Sequence, residues 1–144
     1  MLSQTCKYAI RSIIYIAKNS DKTKKVGLKK ISEELNIPSP FLGKILQTLT
    51  KKKILLSTKG PNGGFSLYKD AKKISLLDIM EIIDGLDYFN TCLIGLKSCS
   101  DKTGYCSTHK KYNPIRKQIY KLFKTETIYN LLNEIDNSNG KINI

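Results

Sequence analysis

At 144 residues with 40% hydrophobic side chains, the chain is the size of one ordinary domain, or of a small domain with an appended helix or two, and can bury a real core. It has no apolar run near the roughly twenty residues of a membrane span, and its amphipathic N-terminus has no signal-type cleavage site, so no membrane partner and a cytoplasmic location are expected. The net charge of +13 is concentrated, because residues 1–73 carry 16 Lys and Arg against 4 Asp and Glu while residues 74–144 carry 9 against 8. That split points to a polyanion-binding first half and a second half with another task.

In residues 4–18, QTCKYAIRSIIYIAK, the residues Cys6, Ala9, Ile10, Ile13, Ile14 and Ala17 recur at helical spacing and predict an amphipathic first helix. Residues 19–27 are polar and lysine-rich and read as a loop. Leu28, Ile31 and Leu35 predict a short second helix that stops near Asn36, because Ile37 precedes Pro38 and is pushed towards an extended conformation. Ser39 reads as the N-cap of a third helix, with Pro40 at its first position and Phe41, Leu42, Ile45, Leu46 and Leu49 turned inward until about Lys51. Two short helices separated by a brief break have the layout of a helix-turn-helix. Residues 55–58 and 65–68 are strand candidates around a Gly/Pro/Asn-rich turn, and a hairpin in that position is a wing.

Ser75 is predicted to cap a fourth helix running from Leu76 to about Asp84, with Asp78 near its positive end and Gly85 as its C-cap. Asn113-Pro114 reads as the opening of a fifth helix with Ile115, Ile119, Leu122 and Phe123 on one face. Thr125 or Thr127 would start a last one carrying Ile128, Leu131, Leu132 and Ile135. These apolar faces exceed what a small winged domain can cover, which suggests a homodimer contact on the long C-terminal helix. The expected fold class is therefore mostly α with a small β-hairpin wing: a winged helix-turn-helix over 1–85, a cysteine-rich sensor loop over 86–112, dimerisation helices over 113–136 and a flexible tail over 137–144.

On the third helix Gly43, Lys44, Gln47, Thr48 and Lys51 are the outward positions, with Ser39 and Pro40 at its start. Gln can bond adenine in two places and Lys can donate to guanine, so this face is a candidate reader of double-stranded DNA. Lys59, Asn62 and the backbone N–H groups of the turn at Gly60, Pro61 and Gly63 would lie beside phosphates. KGPNGGF is not a nucleotide-phosphate loop, since Gly64 is followed by Phe65 and strand-like residues instead of Lys and Ser or Thr. An enzyme and a small-molecule substrate are not expected, because the single histidine has no evident nucleophile and orienting acid and no carboxylates are paired. A winged-helix protein-interaction module is the alternative from a different class, and it would lack the steep salt dependence of a lysine-rich DNA binder.

The stretch CLIGLKSCSDKTGYCSTH, residues 92–109, holds Cys92, Cys99, Cys106 and His109, with six residues between successive cysteines. By itself it leaves open a metal site, a disulfide framework or a thiol-tolerant loop, although a reducing cytoplasm disfavours structural disulfides. Zinc accepts three Cys and one His, but its structural sites more often use closely spaced pairs, which are absent here. Cys6, on the apolar face of the first helix, reads as a small buried hydrophobe.

The segments YAIRSIIYIA, ISEELNIPSPFLGKILQTLTKKKILLSTKGPNGGFSL and ISLLDIMEIIDG, followed by spaced cysteines, resemble the Rrf-type family of bacterial winged-helix regulators over residues 1 to about 135. The resemblance implies a homodimer that binds a palindromic operator, usually to repress, with Ser39, Gly43, Lys44, Lys59, Gly60 and Pro61 facing DNA. Gly43 and Lys44 stand where cluster-assembly regulators of the family carry Glu and Gln, so the operator sequence does not transfer. The resemblance also implies that Cys92, Cys99 and Cys106 hold an iron–sulfur cluster, although their gaps are one residue longer than in the best-known members. His109 is similar to the histidine that completes a [2Fe-2S] cluster, which is therefore favoured. A [4Fe-4S] cluster is second, and zinc or a cluster-free, thiol- or partner-sensing regulator are the alternatives. The nitric-oxide-sensing members use an acidic residue of the partner's first helix, and Lys7 at that position cannot supply a carboxylate.

Overall fold

The computed structural model describes residues 1–94 and 106–138. Helix α1 (Gln4–Asn19) starts where Ser3 Oγ accepts the Cys6 N–H at 3.0 Å, and it buries Cys6, Ala9, Ile10, Ser12, Ile13, Ile14 and Ile16. The stripe is wider than the predicted one: Ser12 and Ile16 are also buried along one edge, Ala17 is half-buried against the core, and the Ser12 hydroxyl is satisfied by donating to the Tyr8 carbonyl at 2.7 Å. Helix α2 (Leu28–Leu35) ends at Asn36 in the left-handed conformation, φ 52°, after which Ile37 is buried. Helix α3 (Ser39–Lys51) buries Leu42, Ile45, Leu46 and Leu49.

Two expectations for α3 are corrected. Pro38, and not Ser39, is the N-cap, because the Ser39 hydroxyl is engaged by donating to Ser32 Oγ at 2.8 Å, joining α2 to α3. Phe41 is 38% exposed at the rim, where it stacks edge-on against Tyr8 with ring centres 5.9 Å apart.

Strands β1 (Leu55–Thr58) and β2 (Gly64–Leu67) pair antiparallel with Leu55 opposite Leu67 and Thr58 opposite Gly64. Residues 19–27 are more than a loop, since Val26 exchanges two backbone bonds with Phe65, at 3.0 and 2.8 Å, and anchors the wing from its other edge. This close approach requires Gly64: its φ is 137°, and a Cβ there would lie 2.6 Å from the Val26 carbonyl oxygen.

Helix α4 (Leu76–Ile83) carries a capping box in which Ser75 Oγ accepts the Asp78 N–H at 3.1 Å and Asp78 Oδ2 accepts the Ser75 N–H at 2.8 Å. A short 3-10 turn (Asp87–Phe89) buries Phe89 edge-on against Tyr120 and Phe123. Helix α5 (His109–Thr125) begins earlier than predicted, because the N–H groups of Lys111 and Tyr112 already donate to the Thr108 carbonyl ahead of Pro114. It buries Phe123 but leaves Ile115 and Leu122 each 54% exposed.

Helix α6 (Ile128–Asn137), capped by Thr127, extends into the expected tail; residues 139–144 lie outside the described residues. Backbone bonds from Leu76 to Glu126 and from Ile128 to Ile74 join the starts of α4 and α6. Helix α1 packs against α2, α3, α4, α6 and β2. Replacing Ser75→Ala, which removes one arm of the capping box, is expected to lower stability by about 1 kcal/mol, read as a lower urea midpoint at unchanged slope.

Candidate nucleic-acid interface and cysteine site

On α3, Pro40, Lys44, Gln47 and Lys51 are all exposed. Their spacing of four, three and four residues puts them in one stripe opposite the buried leucines. The other predicted positions flank it. Gly43 is half-buried where α3 crosses α2, with Leu28 Cδ2 3.7 Å from where a Cβ would stand. Thr48 is half-buried and its hydroxyl donates to the Lys44 carbonyl at 3.0 Å, while Ser39 is held by Ser32. The stripe therefore offers two ammonium groups and one amide on a rigid helix.

At the wing, Lys59, Gly60, Pro61 and Asn62 are exposed and Gly63 is half-buried. The Gly63 N–H donates to the Gly60 carbonyl at 2.9 Å, and Gly60 has a φ of 106°, so the turn is closed and glycine-dependent. Sequence patterns did not reveal the side-chain bond that ties the segment before α2 to the wing: Lys25 Nζ donates to Ser66 Oγ in β2 at 2.8 Å. Within that segment Asp21 accepts the N–H groups of Thr23 and Lys24, each at 2.7 Å. Those bonds, Lys24 foremost, hold the Asp21 carboxyl down to about 2. A carboxylate two residues before a threonine in a polar loop is the signal of such an Asx-turn.

Of the predicted metal ligands, Cys92 and Cys106 come together and Cys99 lies outside the described residues. Cys92 Sγ donates to Cys106 Sγ across 3.4 Å, and both residues are half-buried. Two thiolates bound tetrahedrally to one metal at about 2.3 Å stand about 3.8 Å apart, so this pair fits the sulfur set of a metal or cluster within a few tenths of an ångström. His109 is half-buried and opens α5, its N–H donating to the Cys106 carbonyl at 3.0 Å. Among the described residues no three His, Cys, Asp or Glu side chains group closely enough to hold a metal ion.

Arg116, which sequence patterns did not single out, braces the site. It donates to the Thr91 carbonyl at 3.1 Å and to Asn113 Oδ1 at 3.0 Å, and its guanidinium lies 5.7 Å from the Tyr112 ring centre. Cys6 belongs elsewhere: it is fully buried, and its thiol is pushed up to about 12, first by burial and then by the Asp84 carboxylate. An apolar groove of about 400 Å³ runs beside α1 and α6, walled by Leu2, Ile10, Ile14, Leu131 and Ile135 and edged by Lys7, Arg11 and Glu134. Among the described residues no helix is long and apolar enough to cross a membrane.

Residues 2–134 match the family model Rrf2, described as iron-dependent transcriptional regulator. A chain of Aquifex aeolicus (strain VF5) assigned to the HTH-type transcriptional regulators is 37% identical over 134 residues, 92% of each chain. The HTH-type transcriptional regulator IscR of Klebsiella pneumoniae (strain 342) is 28% identical over 92% of this chain and 79% of its own. Among solved structures, CymR, the global cysteine regulator of B. subtilis, superposes with a TM-score of 0.77 at 19% identity over 93% of this chain and 97% of its own. T. potens IscR does so with a TM-score of 0.76 at 18% identity over 100% and 93%. At those identities the superpositions show a shared winged-helix fold.

Burial of the Cys6 thiol couples stability to pH. Below the ordinary thiol value of 9.0 the residue is neutral folded or unfolded; as pH rises from there through about 12 only the unfolded chain ionises readily, so stability is lost. Relative to Cys6→Ala, the native chain is expected to lose unfolding free energy above pH about 9, and its Cys6 is expected to resist alkylation at pH about 8 until denatured.

Proposed function

Because this chain belongs to the Rrf2 family, it is a DNA-binding transcriptional regulator and not an enzyme; we propose that it represses from a palindromic operator as a homodimer, its affinity set by an iron–sulfur site. The observation that carries the DNA reading is the exposed stripe of Pro40, Lys44, Gln47 and Lys51, on the same winged domain as Lys59. In the major groove Lys44 and Lys51 would donate to guanine edges or phosphates and Gln47 would pair with adenine. The flanking Ser39, Gly43 and Thr48 set how closely α3 approaches. At the wing, Lys59, Asn62 and the turn backbone at Gly60, Pro61 and Gly63 would hold the phosphate backbone and fix register.

Dimerisation is supported by the exposed Ile115 and Leu122 on α5 and by the groove beside α1. In a two-fold dimer the recognition helices must stand about one DNA turn, ~34 Å, apart. Cys92, Cys99, Cys106 and His109 would hold the cluster, which when bound supplies an oxidisable centre of three thiolates and one imidazole. The 3.4 Å approach of Cys92 and Cys106 and the iron-dependent description of the matching family support this assignment. The site also has a route to α3: Arg116 and His109 bind the backbone beside the two cysteines, α5 packs on α4, α4 on α1 and α1 on α3. Rearrangement there would change the spacing of the two recognition helices and weaken both contacts together.

Protein purified without oxygen is expected to be brown, with matching iron and sulfide and a [2Fe-2S] or, second, a [4Fe-4S] spectrum. Colourless protein, with zinc or without metal, would sink the cluster. Cluster-loaded and cluster-free protein should differ in affinity for palindromic DNA selected from a random library, and equal affinities would remove the switch. Binding should weaken steeply with salt, and Lys59→Ala should reduce the log–log slope by about 0.9. A flat salt response would instead favour a protein-interaction module.

A further inference from the structure

We propose that Cys92 and Cys106 are a redox modification site of the cluster-free protein, closing to an intramolecular disulfide on reaction with a hydroperoxide, which rests on the reading of this region as the sensor and names the oxidised state its own thiols reach. Their sulfurs are 3.4 Å apart, so the approach needed to reach a bond length of about 2.05 Å is about 1.4 Å. Both residues are half-buried, open to a small oxidant and partly shielded from bulky thiols.

Both backbones are tied to one element. The Thr91 carbonyl, immediately before Cys92, accepts from Arg116, and the Cys106 carbonyl accepts from the His109 N–H. Because Arg116 and His109 lie in the first turns of α5, the two sulfurs are held near each other by the same helix. Thr91 is tied from the other side by donating its N–H to the Asp87 carbonyl at 2.9 Å. A bond between the sulfurs would staple the end of the 3-10 turn to the start of α5.

The chemistry closes with one hydroperoxide. A thiolate of the pair attacks the terminal peroxide oxygen, the O–O bond breaks, an alcohol or water leaves, and a sulfenic acid forms. The second sulfur then attacks the sulfenic sulfur: the S–S bond forms, the S–O bond breaks and water leaves, the two thiol protons ending on the two oxygen products. Two electrons pass from the sulfurs to the peroxide bond. Cys6 is excluded, since it is fully buried in α1.

The test uses the full chain with Cys99→Ser, reduced, freed of iron and treated with hydrogen peroxide. Of its three remaining thiols, from the four cysteines of the chain, only one, Cys6, should still titrate under denaturing conditions, and dithiothreitol should restore the others. Peptide mapping should find Cys92 linked to Cys106 and lighter by two hydrogens, in this variant and in the native chain. Persistence of all three thiols, or loss to sulfinic acid without a crosslink, would overturn the proposal. The two readings fail separately: colourless protein that crosslinks sinks the cluster alone, whereas brown protein whose cluster-free form never crosslinks sinks only the disulfide.

Discussion

Helix α1 is the constraint on which the remaining elements depend. Its buried residues, from Cys6 to Ile16, cover more than half of its circumference, so it must be enclosed from several sides. It is enclosed by α2 and α3 on the side of the lysine-bearing stripe, by β2 at the wing, and by α4 and α6 on the side of the C-terminal helices. Burying an isoleucine contributes about 1.5–3 kcal/mol, and Ile10, Ile13, Ile14 and Ile16 together make α1 the element that no other can replace. One consequence is functional: the half that carries the lysines and the half that carries the cysteines share a core.

Within the first half, the exposed stripe on α3 exists because the opposite face is committed. Leu42, Ile45, Leu46 and Leu49 fill the core side of the helix, which leaves Pro40, Lys44, Gln47 and Lys51 no place but solvent. Asn36 and Ser32 set the angle at which α3 leaves α2, through a left-handed residue and a side-chain bond to Ser39. The wing is oriented by the Val26–Phe65 bridge, for which Gly64 must lack a Cβ.

The second half is organised around Phe89, Tyr120 and Phe123, three rings in edge-to-face contact that seat the segment before Cys92 on α5. Arg116 then fixes Thr91. Cys92 and Cys106 are thus placed where α5 begins, with α4 and α1 between them and α3. That arrangement gives a change at the sulfurs a packed route to α3, which a site on an isolated loop would not have.

The sequence by itself determined the six α-helices of the described residues, the hairpin and the division of charge, because helical spacing, proline and glycine punctuation and lysine counts are local properties. The cap at Ser75 was readable and that at Thr127 was one of two candidates with Thr125, since a capping residue acts within its own first turn. Only the tertiary structure decided that Val26 completes the wing, that Phe41 stays at the rim against Tyr8, and that Ser39 and Gly43 face α2 as well as solvent. It also decided that α5 starts at His109 ahead of Pro114, and that Cys92 meets Cys106 beside Arg116. These contacts join residues far apart in the chain, and equal spacing between cysteines carries no information on where their sulfurs lie until α4 and α5 are packed.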